Sequence, residues 1–208
     1  MKILIIDCAY GNHLGLICGD ENFEIKADLN EKTSDTIILK IDELLKKKKL
    51  AVDDLDAVSV CVGPGSFTGL RVGATICKGF CALSKIKIIT FTSFEALTYN
   101  ESKDKTIICL QGFGNFLYAL YNGKMFCDEI PKIKALIEEN NLSVCCSESV
   151  AKSLGVKTYT SLQTDIFKIT KEKFNSGKFS DINFEPLYLR ASQAEIEREK
   201  RQKNENKN

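Results

Sequence analysis

Apolar residues in the first half of the chain are grouped in short runs, and turn residues separate one run from the next. Runs of about four to eight residues that are rich in β-branched side chains are typical of buried strands. Strands are accordingly predicted at 2–6, 13–18, 23–27, 57–62 and 87–91. Apolar residues at helical spacing predict one helix from 33 or 34 to the lysines at 46–49, and another over 69–84. The predicted order, β-β-β-α-β-α-β, favours a mixed sheet with helices packed on it.

The second half of the chain predicts a smaller α/β unit that follows the polar stretch at 100–105. Its predicted strands cover 106–110, 116–121, 143–146 and 156–159, and its predicted helices cover 132–140 and 165–175. From 194 onward, charged and amide side chains dominate, which is typical of a disordered segment. We therefore predict an N-terminal subdomain over 1–104, a smaller C-terminal subdomain over 105–193 and a disordered tail over 194–208.

The two helices of the first half differ in how their apolar residues are arranged around the helix axis. At about 100° per residue, the first helix has an ordinary core face. Its members are Ile37, Ile38, Ile41, Leu44 and Leu45. Leu39 falls off this face and is expected to be exposed. The second helix has a stripe of small residues at a spacing of four, which would let another helix approach closely. The stripe consists of Gly69, Gly73, Cys77 and Cys81. Periodicity leaves two coverings of the stripe open, the first helix alone or a partner. The family resemblance given below favours a partner interface formed by Leu39 and the stripe.

Composition and charge limit the classes of function. The chain has 208 residues, of which 44% are hydrophobic, so it can bury a substantial core. Its 29 basic and 28 acidic residues give a net charge of +1, so no global field attracts nucleic acid or a membrane. The apolar run at 3–6 is too short for a signal peptide, and no segment is apolar over the length that spans a bilayer. A cytoplasmic protein without membrane contact is expected.

The nine cysteines are odd in number and form no C-x-x-C pair. Buried thiols that behave as small apolar groups are therefore predicted, without a metal site. His13 is the single histidine of the chain, with no His or Cys at ligand spacing. A Ser-His-Asp arrangement would require His13 to meet Ser66, and nothing in the sequence indicates that it does.

The segment Gly63-Pro64-Gly65-Ser66-Phe67-Thr68-Gly69-Leu70-Arg71-Val72-Gly73 joins a predicted strand to a predicted helix. Such a loop either binds an anion at the helix N-terminus or forms a tight turn that packs the helix, and both interpretations stay open. A P-loop would need a lysine that is missing here, and Thr68 replaces the last glycine of a dinucleotide fingerprint. Pro64 and Thr68 also occupy the glycine positions of a nucleophile elbow around Ser66. The weak candidates for nucleotide contact are Asp7, Gly63, Gly65, Ser66, Thr68 and Arg71.

The string GPGSFTGLRVG resembles the signature of the TsaB (YeaZ) family, which takes part in making threonylcarbamoyladenosine on tRNA. The similarity covers residues 1 to about 100 and the motif Pro186-Leu187-Tyr188-Leu189-Arg190, which resembles the closing P-x-Y-x-R of the family. The resemblance implies an α/β, actin-like ATPase (ASKHA, RNase H-like) fold. In this fold two subdomains each have a mixed β-sheet flanked by helices.

The resemblance also implies a role without catalysis. Cys8 and Ala9 stand where the family has hydroxyl side chains, Thr33 replaces a frequent histidine, and Gln111-Gly112-Phe113 replaces an Asp-Ala-Arg segment. The chain would pair as a heterodimer with a TsaD-type threonylcarbamoyltransferase, with a TsaE-type ATPase as a further partner and with tRNA reached through the complex. No cofactor is expected in this chain, whereas ATP and a metal ion are expected in the partner subunits.

Two alternatives belong to other classes of protein. One is a small kinase or ATPase of the same fold, with Asp7 holding magnesium and the loop at 63–69 holding phosphate. The other is a homodimer with a regulatory role, and a homodimer could also precede the heterodimer.

Overall fold

The computed structural model describes residues 1–11, 13–26, 33–82, 84–98 and 105–191, and of 33–35 it describes the backbone alone. The first half contains a five-stranded sheet, called the first sheet. Its strands are β1 (Lys2–Asp7), β2 (His13–Cys18), β3 (Glu21–Lys26), β4 (Ala57–Gly63) and β5 (Lys87–Thr92). Their spatial order is β3-β2-β1-β4-β5. The hairpin strands β1, β2 and β3 pair antiparallel, whereas β1–β4 and β4–β5 pair parallel.

Both faces of the first sheet are covered by helices. Helices α1 (Thr33–Lys47) and α2 (Phe67–Cys81) pack on the face that carries Leu4, Ile6 and Val60. Helix α5 (Ile166–Asn175), from the second half of the chain, packs on the opposite face, where Ile5 and Phe91 are buried. Successive residues of a strand point to opposite faces, so a strand covered on both sides is a nearly continuous apolar run. This is why β1 reads as Lys-Ile-Leu-Ile-Ile-Asp.

The second sheet lies in the second half of the chain. Its strands are β7 (Thr106–Gln111), β8 (Phe116–Tyr121), β9 (Lys124–Glu129), β10 (Ser143–Cys146) and β11 (Thr160–Ser161), in the spatial order β11-β10-β7-β8-β9. Helices α3 (Ile130–Asn140) and α4 (Glu148–Leu154) cover one face. The other face packs Ile108 and Tyr118 against Phe94 and Leu97, which come from the first half of the chain. Two short strands, β6 (Leu97–Thr98) and β12 (Gln163–Thr164), form a separate pair.

The predicted order of strands and helices in the first half is confirmed, with α2 beginning at Phe67 instead of 69 and ending at Cys81. In the second half, the predicted strand at 156–159 is wrong, because the short strand β11 forms at Thr160–Ser161 instead. Strand β9 and helix α4 were not predicted. Helix α5 lies within the predicted C-terminal subdomain, yet it packs on the first sheet. The division at 104 and 105 stays a prediction, and the predicted tail lies outside the described residues.

Candidate functional site

The glycine loop begins where β4 ends. Gly63 has a φ of +110°, a conformation that favours glycine, and it precedes a cis peptide bond to Pro64. Ser66 is the N-cap of α2: its Oγ accepts a hydrogen bond from the Gly69 N–H at 3.2 Å, and its carbonyl oxygen accepts one from the Leu70 N–H. The Ser66 hydroxyl is thus engaged in starting the helix.

Backbone contact between this loop and the segment after β1 explains two of the glycines. The Ser66 N–H donates to the carbonyl oxygen of Ala9 at 2.9 Å. A Cβ atom on Gly65 would lie 2.6 Å from that same oxygen, and one on Gly69 would lie 2.0 Å from the carbonyl oxygen of Cys8. Any side chain at these positions would collide with backbone, so here the glycines pack the start of α2 against the chain itself.

The predicted partner stripe on α2 is corrected by the structure. Gly69, Gly73, Cys77 and Cys81 are all buried, and the thiols of the last two lie in the core under the first sheet. A Cβ atom on Gly73 would meet the side chains of Ile6 and Val60 at 3.5 Å. The residues of the stripe are small because the helix lies close to strands that carry branched side chains. These four residues therefore face the chain's own sheet and offer no surface to a partner.

The predicted exposure of Leu39 on α1 is confirmed, since 69% of this residue is accessible to solvent. Ile38, which was predicted to lie on the core face, is 51% exposed. Ile37 and Ile41 fill the core side of the helix, so the two outward residues form one apolar patch, called the α1 patch (Ile38 and Leu39). Whether the patch is an interface stays a prediction.

Asp7 ends β1, and its Oδ1 accepts a hydrogen bond from the Ala9 N–H at 3.0 Å. Burial of this carboxylate raises its pKa, an effect that the Ala9 N–H and the nearby His13 and Cys61 only partly offset. Burial likewise raises the pKa of the Cys61 thiol, whose Sγ lies 3.4 Å from Ser93 Oγ. The groups that act on Asp7 are thus the Ala9 N–H, the imidazole of His13 and the thiol of Cys61.

His13 and Ser66 are not brought together. The His13 Nε2 contacts the carboxylate of Glu24 on β3, while the Ser66 hydroxyl caps α2. The geometry therefore gives no support to Ser66 as an activated nucleophile.

A cavity of about 680 Å³ opens beside the glycine loop. Its walls are the segment after β1, the first turn of α2 and the connection between β7 and β8. Of the predicted candidates, Gly65, Ser66 and Thr68 line it, while Asp7, Gly63 and Arg71 do not. Arg71 lies on the exposed side of α2, where its Nε donates to the Tyr188 hydroxyl at 3.1 Å.

Arg190 also lines this cavity and is not among the site residues predicted from the sequence. Its guanidinium lies 4.9 Å from the ring centroid of Phe116 and 5.6 Å from that of Phe113. Its Nε donates to the carbonyl oxygen of Ala191, whereas Nη1 is buried and has no hydrogen-bond partner among the described residues. The motif at 186–190 was noted as a family feature, and its arginine was the signal that could have pointed to the cavity.

All nine cysteines are thiols, and seven of them are buried, as predicted for small apolar groups. Burial raises the pKa of Cys8 to about 12, so this thiol stays protonated at neutral pH. Within the described ranges, no group of three or more His, Cys, Asp or Glu side chains could hold a metal ion. None of the helices described in this structure is long and apolar enough to cross a membrane.

Comparison with known proteins places these features in context. The sequence model of the family "TsaD: tRNA N6-adenosine threonylcarbamoyltransferase" matches residues 28–127. The "tRNA threonylcarbamoyladenosine biosynthesis protein TsaB" of Haemophilus influenzae is 36% identical over 76 residues, which cover 35% of this chain and 32% of the relative. An "Uncharacterized protein MG208 homolog" of Mycoplasma pneumoniae is 34% identical over 86 residues, 39% of this chain and 43% of the relative.

Two solved structures match nearly the whole fold. The "YeaZ from Pseudomonas aeruginosa" structure has a TM-score of 0.70 and 14% identity, and it covers 90% of this chain and 99% of its own. A structure of "an uncharacterized protein with similarity to peptidase YEAZ" from the same organism has a TM-score of 0.72, with 13% identity and coverage of 91% and 99%. The chain is therefore similar in fold to the two YeaZ-related structures, and part of its sequence is similar to proteins named TsaB.

The fold is accordingly the α/β, actin-like (RNase H-like) fold, with two mixed sheets flanked by helices. The sequence alignments are short: they span less than half the length of the curated relatives.

Proposed function

We propose that this chain acts in the biosynthesis of threonylcarbamoyladenosine on tRNA, as a non-catalytic subunit that docks on a TsaD-type threonylcarbamoyltransferase. Two relatives named TsaB, from Haemophilus influenzae and Buchnera aphidicola, support the pathway. In this proposal a TsaE-type ATPase is a further partner, tRNA is reached through the complex, and ATP and a metal ion are held by the partner subunits. A homodimer that precedes the heterodimer stays an open alternative.

The α1 patch is the observation that carries this proposal. Ile38 and Leu39 are adjacent, are 51% and 69% exposed, and protrude from a helix whose other flank is fixed to the first sheet. Lys46 and Lys47, about two turns further on, pair with Asp42 and Glu43 of the same helix. An apolar pair framed by self-paired charges suits a partner that presents an apolar helix face.

The close backbone contact between the segment after β1 and the start of α2, beside the cavity, supports a role without catalysis. The segment after β1 contacts the start of α2 backbone to backbone, through Ala9 with Ser66 and through Cys8 with Gly69. In a phosphate-binding loop those backbone groups would face the ligand. Here the Ser66 and Gly69 N–H groups are already bonded within the chain.

The decisive experiment is Leu39→Asp. A charge on this exposed leucine should abolish co-purification with the TsaD homologue and tRNA modification together, because the partner would have to bury an unpaired carboxylate. The free energy of unfolding should change by no more than about 0.5 kcal/mol, since the residue is exposed.

The matched control is Met125→Asp, which puts the same charge on an exposed apolar residue of β9 in the second sheet. It should leave both the complex and the modification intact. If Leu39→Asp melts like the wild type and still forms a fully active complex, docking through the α1 patch is refuted.

A further inference from the structure

The cavity beside the glycine loop has one charged residue, Arg190, among the described residues that line it. Neutral polar side chains also line the cavity: the hydroxyls of Tyr10, Ser66, Thr68 and Tyr118 and the amide of Gln111. Carboxylates are absent from the described lining, so the guanidinium charge is not balanced there. At about 680 Å³, the cavity has the size of small-molecule sites, which range from about 300 to 1,000 Å³.

The guanidinium of Arg190 is held in place but incompletely bonded. The rings of Phe113 and Phe116 lie against it, and Nε donates to Ala191, which fixes its plane. Its buried Nη1 lacks an acceptor within the described chain. A buried donor without an acceptor costs about 1–3 kcal/mol, and more when it is charged. An anion in the cavity would supply charge and acceptors to this group.

The rim of the cavity provides a second kind of contact. Tyr10 and Phe113 both line it, and they are 45% and 69% exposed. Large aromatic side chains that stay exposed beside a cavity offer ring faces on which a planar group can stack. Anion binding and stacking are thus available within one cavity.

We propose that this cavity binds a small planar aromatic compound with a single anionic group, phosphate or carboxylate, which contacts Arg190 while the ring stacks on Tyr10 or Phe113. The single cation of the described lining limits the ligand to one anionic group. A triphosphate would bring further negative charge that no lining residue described here neutralises. The site is independent of docking through the α1 patch, which lies on another helix.

Calorimetric titration of the isolated full chain tests the proposal, with AMP and indole-3-acetate as the phosphate and carboxylate probes. At least one should bind, and adenosine, which lacks the anion, should bind at least about tenfold more weakly than AMP if AMP is the ligand. Addition of magnesium should not make ATP bind more tightly than AMP. If neither probe binds, or if adenosine binds as tightly as AMP and indole-3-acetate does not bind, the proposal is overturned.

Variants assign the contacts. Arg190→Gln should weaken binding of the probe that binds by at least about tenfold. Phe113→Ala should weaken AMP at least as much as adenosine, because Phe113 also lies against the Arg190 guanidinium. Lys152→Gln removes an equal charge from the exposed surface of α4 and should leave the affinity for every probe unchanged. Undiminished affinity in a folded Arg190→Gln chain overturns the proposal; should that variant melt early, the comparison of AMP with adenosine in the wild type decides.

Discussion

At the residue scale, Asp7 shows how position alone can suggest a chemistry that the surroundings then change. An aspartate at the end of a buried strand, followed by a loop, is where a magnesium ligand is expected in a small kinase. Here its Oδ1 accepts from the Ala9 N–H, and burial raises its pKa. Because the loss of hydration outweighs the Ala9 hydrogen bond and the nearby His13, ionising this carboxyl group in the folded protein costs free energy of folding.

We therefore expect Asp7→Asn to raise the stability of the protein at pH 7. The unfolded chain releases this proton near its ordinary pKa of about 3.9, whereas the folded chain releases it at a higher pH. The wild type accordingly loses stability as the pH rises from the first value through the second, and the loss persists above it. Asparagine retains an oxygen for the Ala9 N–H and does not ionise.

Urea unfolding at several pH values checks this. The gain from Asp7→Asn should be present at pH 7 and should shrink toward zero below about pH 4, where both the folded and the unfolded wild type become protonated. Asp20→Asn, in the exposed turn after β2, controls for the loss of one charge. A gain from Asp7→Asn that is the same at every pH would contradict the proposed cause.

Single residues also show where reasoning from the sequence stops. The exposure of Leu39 follows from its angle on the helix, whereas Ile38 lies at the edge of the same apolar arc. How far that arc is covered depends on the tilt of α1 on the sheet, which periodicity does not contain. Arg190 was missed for a related reason, because the cavity that it lines is assembled from segments far apart in the chain.

At the element scale, α2 is placed by what its residues lack. The segment after β1 passes so close to its first turn that Gly69 has no room for a side chain, and Gly73 faces branched side chains of β1 and β4. The small-residue stripe is visible in the sequence, where periodicity leaves two coverings open, the first helix or a partner. The structure gives a third, since the chain's own sheet occupies the stripe.

Two alanine substitutions in α2 should have opposite effects. Gly69→Ala should lower the free energy of unfolding by about 1–3 kcal/mol, because its Cβ would lie 2.0 Å from the Cys8 carbonyl oxygen. Gly79 is exposed, with no atom within 4 Å of a Cβ, so Gly79→Ala should raise it by about 0.5–1 kcal/mol through helix propensity. Urea midpoints measure both; a Gly69→Ala chain as stable as Gly79→Ala would show that the close contact is not present in solution.

Strand β9 and helix α4, which were not predicted, both have local sequence signals. Strand β9 follows Asn122-Gly123, whose φ angles of +49° and +72° fit the two-residue hairpin turn that this pair favours. Its alternation is weak because it is an edge strand, paired on one side only. Helix α4 begins at the N-cap Ser147 and ends at Gly155 in the left-handed conformation, which are ordinary capping residues. Its seven residues were too few for periodicity to register.

At the scale of the whole molecule, the segment at 186–190 connects the two sheets. The Leu187 N–H donates to the carbonyl oxygen of Val62 on β4 at 2.7 Å, and Leu189 packs in the cluster around Tyr118 on β8. Between them, the ring of Tyr188 stacks on Phe67, with centroids 4.7 Å apart and planes 4° from parallel. No local pattern predicts these contacts, because each joins residues more than fifty positions apart.

Tyr188→Ala should therefore release this segment without loosening the sheets. The stack and the hydrogen bond from Arg71 are lost together, and an aromatic pair contributes about 0.5–1.5 kcal/mol. Hydrogen exchange at the Leu187 amide should become faster, while amides of β1 keep their protection, because local opening involves only the contacts that the opening segment makes. Tyr188→Phe retains the stack and loses only the hydroxyl, so it should preserve most of the protection at Leu187. If Tyr188→Ala leaves that amide unchanged, the stack does not hold the segment. If it exposes β1 equally, the segment is part of the global core and does not open separately.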